Sequence, residues 1–259
     1  MVEGFSMGGQ VAIRDYFRDD TFIKLEGSGA DARVCIDLNS MIYTRQQVDH
    51  IIGLVKRGWY FHYGQTDIWL YEALKHHPIT GKTVAIIGSA CPVYEGMCLA
   101  YGGTPLTVEY QVRVTDDDRL RFISPDQFAA AGPRVEAAFS VSSFEHDGLG
   151  RYGDPLDHDG DLKAMAALTR QMAPDGLLYL TVPFQHDAVI WNVNRHYGPI
   201  RLPHLIRDWT LVAVYGPPEG LFLSLDPLVI HAQAWARHFD EVGPGVAPEW
   251  VLVLRNDKA

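Results

Sequence analysis

The sequence predicts an α/β fold built on a mostly parallel sheet, and three observations support this. After Pro78, apolar runs alternate with helical patterns, which is typical of strand–helix–strand units. The run TVAIIG at 83–88 is almost wholly apolar, as expected of a strand buried on both faces of a parallel sheet. Small residues follow it, where such a strand turns into a helix. Ligands of such sheets bind beyond the carboxyl ends of the strands. Functional residues are therefore expected at the strand ends, in 88–95, 109–110, 124–126, 142–154 and 183–201.

Helical patterns precede the sheet. Thr44 suits an N-cap and Gly58 the residue beyond the C-terminus of a helix. Between them, one helical face carries Val48, Ile51, Ile52 and Val55. The second half of the aromatic stretch 58–77 is also predicted to be helical. Residues 1–40 show no pattern that orders them.

The strands and helices of the sheet follow from their own patterns. Strands are predicted at 83–88, 105–110, 120–124, 135–143, 177–182, 209–215 and 250–255. Helices are predicted at 92–103 and 161–172, the second behind a capping Asp161. The turn Pro174–Gly176 leads into the fifth strand. The segment 216–248 either covers the site or packs at the sheet edge.

Size and charge restrict the classes of function. The 259 residues suit one large domain at 63–259, with a helical or irregular segment, 1–62, packed on it. The net charge of −10 and the lack of a basic cluster argue against nucleic-acid binding. The sequence opens without a basic and apolar leader and contains no apolar run long enough to span a membrane, so we expect no membrane contact. Its three cysteines are too few and too irregularly spaced for a disulfide framework, so we expect a cytoplasmic protein. The oligomeric state stays open, a homo-oligomer included.

A cofactor segment is predicted between Gly88 and Glu109. The turn from Gly88 to Pro92 is built of small residues and opens a helix whose free N–H groups can bind a ligand. Glu109 lies 21 residues after Gly88, at the end of the next strand, where a carboxylate can accept hydrogen bonds from two ribose hydroxyls. Of the three glycines that a dinucleotide turn requires, only Gly88 is present, because Ala90 and Val93 occupy the other positions. This pattern favours S-adenosylmethionine over NAD.

Three stretches carry a more specific resemblance: FHYGQTDIWLYEALKHHPITGKTVAIIGS, SSFEHDGLGRYGDPLDHDGDLKAM and LTVPFQHDAVIWNVNRHYGPIRLP. Together they resemble a methyltransferase-like domain family of unknown function over about residues 60–212. The segment SVSSFEHDG resembles the end of the fourth strand in class I methyltransferases. The resemblance implies a Rossmann-like three-layer sandwich with a seven-stranded mixed sheet of the class I methyltransferase type, with S-adenosylmethionine lying across the ends of strands one to four.

Carried over by position, the resemblance implies a set of cofactor contacts. Gly88 and Ser89 approach the amino-acid part, and Glu109 holds the ribose. Ser142 and Ser143 flank the sulfonium, and Tyr63 or Gln65 closes over the cofactor. The predicted set is completed by Ala90 and Tyr110. Two departures, Ala90 at the common second glycine and Ala85 in place of an acid before the turn, keep a non-catalytic domain open as an alternative.

The acceptor side offers several acid–base candidates. His146 is the first choice as general base, because a histidine titrates near neutral pH. Its neighbour Glu145 either joins the catalysis or bonds the cofactor's amino group, and His146 could instead orient a loop. His196 is a second candidate base, and His186 with Asp187 a third.

Charged residues further on suggest a metal and an acceptor. Asp147 and Asp154, in a segment rich in Asp and His, could hold Mg²⁺, although such clusters are more often turns and caps. Two arginines beside a cleft could grip an anionic group of the acceptor. The predicted substrate contacts are Arg195, Tyr197 and Arg201.

The leading hypothesis is an S-adenosylmethionine-dependent methyltransferase that methylates an oxygen of a small polar acceptor, such as a sugar or glycan hydroxyl. The main alternative is a non-catalytic module that binds an adenosyl ligand or a protein. An NAD-dependent oxidoreductase is a third hypothesis, which the missing glycines disfavour.

Overall fold

The structure, a computed structural model, describes residues 1–15, 41–111, 113–131, 134–184, 186–216 and 249–258. Cys35, most of the N-terminal 40 residues and the predicted covering or edge segment up to residue 248 lie outside these ranges.

Helices and strands alternate along most of the described chain. The helices are α1 Val2–Phe5, α2 Arg45–Lys56, α3 Gln65–His76, α4 Val93–Ala100, α5 Pro125–Ala131, α6 Gly160–Gln171 and α7 Leu202–Leu205. The strands are β1 Ala12–Asp15, β2 Ile42–Tyr43, β3 Thr83–Ile87, β4 Thr104–Val108, β5 Val114–Thr115, β6 Phe122–Ile123, β7 Val135–Val141, β8 Met172–Thr181, β9 Ala188–Trp191, β10 Asn194–His196, β11 Trp209–Tyr215 and β12 Val251–Asn256.

Seven of the described strands form the main sheet, in the order β11-β12-β8-β7-β3-β4-β6. Strand β12 runs antiparallel to both of its neighbours, whereas the pairs among β8, β7, β3, β4 and β6 are parallel. The chain passes from β3 to β4 on one side and later to β7 on the other, so β3 lies at the switch point of the sheet. This arrangement confirms the predicted seven-stranded mixed sheet of the class I methyltransferase type.

Helices cover both faces of the sheet and create two apolar cores. On one face Met97 of α4 and Leu70 of α3 pack with Ile86 of β3. On the other face Met165 of α6 packs with Ala85. The result is the expected three-layer sandwich, in which apolar side chains of the central strands are covered on both sides.

The helix before the sheet is confirmed in detail. The Thr44 hydroxyl accepts the N–H of Gln47, and the Gln47 side chain accepts the N–H of Thr44, which is a complete capping box. Gly58, just beyond the end of α2, has a φ of 72° and so needs the conformational freedom of glycine.

The third predicted strand is present but only two residues long, β6. The predicted turn Pro174–Gly176 lies inside β8, where the pairing with β7 jumps from Met172 to Leu177 and Asp175 has a φ of 60°. One local prediction was wrong. Asp159 rather than Asp161 stands at the N-cap of α6, because the Asp161 carboxylate is buried against Arg201.

A second sheet has three strands, two of which lie in the stretch 183–201, where functional residues were expected. Strand β9 pairs parallel with β1 and antiparallel with β10. Phe5 of α1 packs beneath this sheet with Val189. The N-terminal residues thus contribute a strand to a layer formed mainly by the segment after β8.

Candidate functional site

The turn after β3 and the end of β7 are in close contact. Gly88 has a φ of 67°, and a Cβ built on it would lie 2.4 Å from the Ser143 Oγ. A side chain at this position is therefore excluded both by backbone strain and by the space that Ser143 occupies. The structure brings together the two segments that the sequence predicts to hold the cofactor.

Glu109 is joined to this turn by its carboxylate. One carboxylate oxygen accepts the N–H of Ser89 at 2.9 Å, and the other accepts the N–H of Gln111 at 3.1 Å. The Glu109 side chain is 14% exposed, and each carboxylate oxygen can accept a further hydrogen bond. Glu109 therefore lies at the turn after β3, and its predicted contact with a ribose stays a prediction.

Two residues that no sequence pattern marked stabilise the turn by hydrogen bonds to its backbone. The carbonyl of Ser89 accepts the Tyr43 hydroxyl at 2.9 Å and the Arg113 Nη2 at 2.8 Å. Arg113 also lies 4.0 Å from the carboxylate of Glu109. Tyr43 is buried on β2, far from the turn in sequence, which is why no local pattern marked it.

A cluster of polar groups stands at the end of β7. Ser142 has a φ of 49°, and its Oγ lies 2.5 Å from the Glu145 Oε1 and 3.0 Å from the Glu249 Oε1. The Thr181 hydroxyl, at the end of β8, donates to the Glu249 Oε2 at 3.0 Å. Burial and the charge of the other carboxyl raise the pKa of Glu145 well above its usual range. Burial also raises the pKa of Glu249, a residue that sequence reasoning missed.

Of the remaining predicted cofactor residues, one lies at this cluster and three are exposed. Burial raises the pKa of the Tyr63 phenol, which faces Ser142 and both carboxyl groups. Ala90 and Gln65, by contrast, are exposed, and so is Tyr110. The structure therefore brings Tyr63 to the cluster, while these three lie on the surface.

His146 is held in one tautomer. Its Nδ1 lies 2.6 Å from the carbonyl oxygen of Val193, which can only accept, so Nδ1 carries the hydrogen. The Nε2 of the neutral ring then presents a lone pair and lies 3.6 Å from the Glu145 Oε1. This orientation is the one that a general base requires.

The predicted substrate contacts lie in the interior instead of at a cleft. Arg195, Tyr197 and Arg201 have no more than 1% of their surface exposed. The Tyr197 hydroxyl and the Arg201 Nε each donate to the Asp161 carboxylate at 2.8 Å. Arg195 donates to the carbonyl of Asp147 at 2.6 Å and to that of Asp157 at 3.2 Å. In this arrangement the three residues fasten the loop after β7, and we do not retain them as acceptor contacts.

Of the second and third candidate bases, the structure shows burial for one and a structural role for the aspartate beside the other. His196 is fully buried on β10, and burial lowers its pKa to about 4. The carboxylate of Asp187 accepts the N–H groups of Gly198, Ile200 and Arg201 and so caps the following loop.

The predicted metal ligands do not form a binding group. Within the described ranges, no three His, Cys, Asp or Glu side chains converge as metal ligands. The Asp154 carboxylate accepts the N–H groups of Gly148, Gly150 and Tyr152, at 2.7, 3.0 and 3.2 Å. Asp154 therefore organises a turn, the alternative that its sequence context left open. Burial raises the pKa of Asp147, which is typical of an unpaired carboxyl.

Several solved structures share features of this fold. At 14% identity and a TM-score of 0.47, 76% of the chain matches 80% of 1,6-didemethyltoxoflavin-N1-methyltransferase from Burkholderia thailandensis. The N-methyltransferase NodS from Bradyrhizobium japonicum is 14% identical, with a TM-score of 0.47, over 75% of this chain and 95% of NodS. The [4+2]-cyclase SpnF is 14% identical, with a TM-score of 0.49, over 84% of this chain and 98% of SpnF. The fold assignment itself rests on the strand order described above.

Three further findings concern the chain as a whole. Among its described helices, none is both long and apolar enough to cross a membrane. No curated protein matches the sequence significantly. Residues 81–239 match the sequence pattern of DUF268. Because this match spans more than half of the sequence, the chain belongs to the DUF268 family, which is described as "Caenorhabditis protein of unknown function".

Proposed function

We propose that the protein is an S-adenosylmethionine-dependent methyltransferase that methylates an oxygen of a small polar acceptor, such as a sugar hydroxyl. The observation that carries this proposal is the contact of three strand ends: Gly88 after β3, Glu109 after β4 and Ser143 after β7. They meet at the switch point of a mixed sheet, where ligands of such folds bind.

The chemistry of the turn suits an adenosyl ligand. Glu109 keeps lone pairs free for two ribose hydroxyls after it has accepted the N–H of Ser89. The missing Cβ of Gly88 lets Ser143 approach the turn, so the two predicted cofactor segments lie side by side. Val93, by contrast, puts a buried side chain at the third glycine position of a dinucleotide turn, which supports the preference for S-adenosylmethionine over NAD.

Methyl transfer to a hydroxyl also requires a proton acceptor, and His146 supplies one. S-adenosylmethionine, held by Gly88, Ser89 and Glu109, would supply a methyl group activated by the sulfonium, which would leave as a neutral thioether when the acceptor oxygen takes the methyl carbon. The hydroxyl proton moves to the Nε2 of His146, whose lone pair is fixed by the Nδ1 contact with Val193.

The first test is calorimetric titration of S-adenosylhomocysteine into the wild-type protein and into Glu109→Ala. We expect micromolar binding, weakened by about 1–3 kcal/mol in the variant, which is the scale for a hydrogen bond to a charged group. Wild-type protein that shows neither heat nor thermal stabilisation would contradict the proposed cofactor.

Gly88→Ala and Gly81→Ala form a matched pair for the same titration. Both glycines have positive φ, 67° and 76°, so both substitutions strain the backbone. A Cβ at Gly81 meets nothing within 4 Å, whereas one at Gly88 meets Ser143. We expect Gly88→Ala to lose ligand affinity at least tenfold and Gly81→Ala to keep it. Equal affinities would place the ligand elsewhere.

A non-catalytic binding module is the second candidate, favoured by Ala85, which is wholly buried in β3 and offers no carboxylate before the turn. Incubation with labelled S-adenosylmethionine and a panel of glycosides separates the two functions. Methyl transfer that Glu109→Ala abolishes supports the enzyme. Tight binding without turnover, on hydroxyl and amine acceptors alike, supports the module.

A further inference from the structure

Two carboxyl groups meet over a single serine hydroxyl at the end of β7. The Ser142 Oγ lies within hydrogen-bond distance of both the Glu145 Oε1 and the Glu249 Oε1, at 2.5 and 3.0 Å. A serine hydroxyl has one hydrogen and can donate it to only one of them. The other close oxygen–oxygen contact is favourable only if the second carboxyl carries a proton of its own.

No Lys or Arg side chain pairs with either carboxylate in the part of the chain that the structure describes. Arg195 reaches the carbonyl oxygen of Glu145, at 3.4 Å, and not its carboxylate. Among the described residues, the Nε2 of His146 lies 3.6 Å from the Glu145 Oε1. Glu145 is buried and Glu249 is partly exposed. Without a fixed cation among the described residues, two carboxyl groups that contact the same hydroxyl cannot both ionise at low cost.

The other groups that face the pair also oppose its ionisation. The charge of Asp147 acts on Glu145 and that of Asp67 on Glu249, and both raise the pKa of their neighbour. The Tyr63 phenol faces both carboxyl groups and adds no positive charge. The geometry therefore indicates that the two carboxyl groups share one proton, which leaves the pair with one negative charge.

One carboxylate oxygen of Glu145 has no hydrogen-bond partner among the described residues. The Glu145 side chain has no exposed surface, and this oxygen, Oε2, is buried. A buried, unsatisfied carboxylate oxygen is costly unless a ligand or a proton completes it.

We propose that Glu145, Ser142 and Glu249 form a proton reservoir, which holds one shared proton and keeps one negative charge beside His146 throughout methyl transfer. This inference rests on the proposed function. The acceptor's proton passes to the Nε2 of His146, and the negative charge of the pair balances the sulfonium before the transfer and the imidazolium after it. The buried site then has zero net charge before and after the reaction, which avoids leaving an uncompensated charge in the interior. His146 touches the acceptor, whereas Glu145 and Glu249 act through it as positioning residues.

The reservoir can be tested without any ligand, by NMR titration of protein labelled with ¹³C at the glutamate carboxyl carbons. In the wild-type protein we expect two coupled steps from the pair, of which the upper one lies far above the ordinary glutamate range. In Glu249→Gln and in Glu145→Gln, the coupled upper step is replaced by a single step at lower pH, which burial still keeps above the ordinary glutamate range. The reservoir would be overturned if the upper step were missing from the wild type or kept its wild-type pH in both variants.

Two controls make the assignment unambiguous. Glu95 is another buried carboxyl with a raised pKa, and Glu95→Gln identifies its signal. Glu72→Gln removes an exposed carboxyl of α3 and should leave the upper step unchanged. If one variant of the pair fails to fold, the other gives the same answer, because the upper step needs both carboxyl groups.

A second measurement places the pair beside the cofactor. S-adenosylmethionine carries the sulfonium charge and S-adenosylhomocysteine does not, whereas the double variant Glu145→Gln/Glu249→Gln removes the negative charge and keeps the side-chain shape. We expect the double variant to weaken S-adenosylmethionine at least tenfold more than S-adenosylhomocysteine. Equal weakening would separate the pair from the methyl group. If the wild type binds neither ligand, the proposed function fails while the titration still decides the shared proton.

Discussion

Glu145 and Asp161 are both wholly buried carboxyl groups, yet their surroundings give them opposite chemistry. Asp161 lies against Arg201 at 2.5 Å and Arg195 at 3.8 Å, and these charges hold its pKa below the usual value despite burial. Glu145 faces a second carboxyl, and its pKa rises. The comparison teaches that burial alone does not indicate a reactive carboxyl. The sign of the nearest charge separates an ionised structural group from one that keeps its proton.

The largest expected effect is on the Asp161 side of this comparison. Arg201→Met leaves the buried Asp161 carboxylate without its closest cation, which should lower the free energy of unfolding by about 3–5 kcal/mol. Urea denaturation measures this loss. The matched control, Arg207→Met, changes an arginine with 66% of its side chain exposed and should alter stability by no more than about 0.5 kcal/mol. A loss below about 1 kcal/mol for Arg201→Met would mean that Asp161 does not depend on its cations.

A smaller effect is expected where a neutral donor contacts the same carboxylate. Tyr197→Phe removes one hydrogen bond to an ionised acceptor, with an expected cost of about 1.5–3 kcal/mol. Tyr179→Phe removes a hydrogen bond to the neutral carbonyl of His77, with an expected cost of about 1 kcal/mol. Equal losses in thermal unfolding would contradict an ionised Asp161.

The smallest effect concerns the pH dependence of stability on the Glu145 side. Above the ordinary glutamate pKa of 4.5, the unfolded chain has released protons that the folded pair still binds. The free energy of unfolding should therefore fall as the pH rises from 4.5 toward the raised pKa of the folded state. In Glu249→Gln one such proton is lost, and the slope should flatten by up to about 1.4 kcal/mol per pH unit. Guanidinium denaturation at pH 5, 6 and 7 gives this slope.

The same data contain an internal control. Burial raises the pKa of Asp67 to about 6, and its contribution has the same sign and should persist in the variant. Asp161 acts in the opposite direction, since its stabilisation is lost only as pH falls below its ordinary value of 3.8. If the dependence of the free energy of unfolding on pH were unchanged in Glu249→Gln, Glu145 would not keep its proton because of the second carboxyl, and the contrast with Asp161 would fail.

The sequence predicted the sites that follow directly from a strand. Gly88, Glu109 and Glu145 each come after a buried run, and parallel strands bring their carboxyl ends to one edge of the sheet. Glu249 could not be found in this way, because 107 residues separate it from Ser142. It precedes an antiparallel strand, whose pairing of Leu252 with Leu180 carries it to the end of β8. Its one signal was a carboxylate immediately before an apolar run.

Arg195 and Arg201 were misplaced for a different reason. Arg195 lies in β10, and Arg201 stands at the N-cap of α7. A strand of three residues and a helix of four are too short to show a periodic pattern. Charged residues in such a segment look like a polar loop around a cleft. Their burial follows from Asp161 in α6, a partner about 35–40 positions earlier, which no local pattern in the sequence connects to them.

The position of β12 has a consequence for how fragments of this protein should be cut. The family pattern ends at residue 239, but β12 and Glu249 come later in the chain. In the sheet, β12 is not a terminal strand: it separates β11 from β8 and bonds to both. A fragment trimmed to the family boundary would therefore lack an interior strand, leave two rows of backbone N–H and C=O groups unpaired and lose one of the two shared carboxyl groups. Expression of this domain needs to extend at least through Asn256.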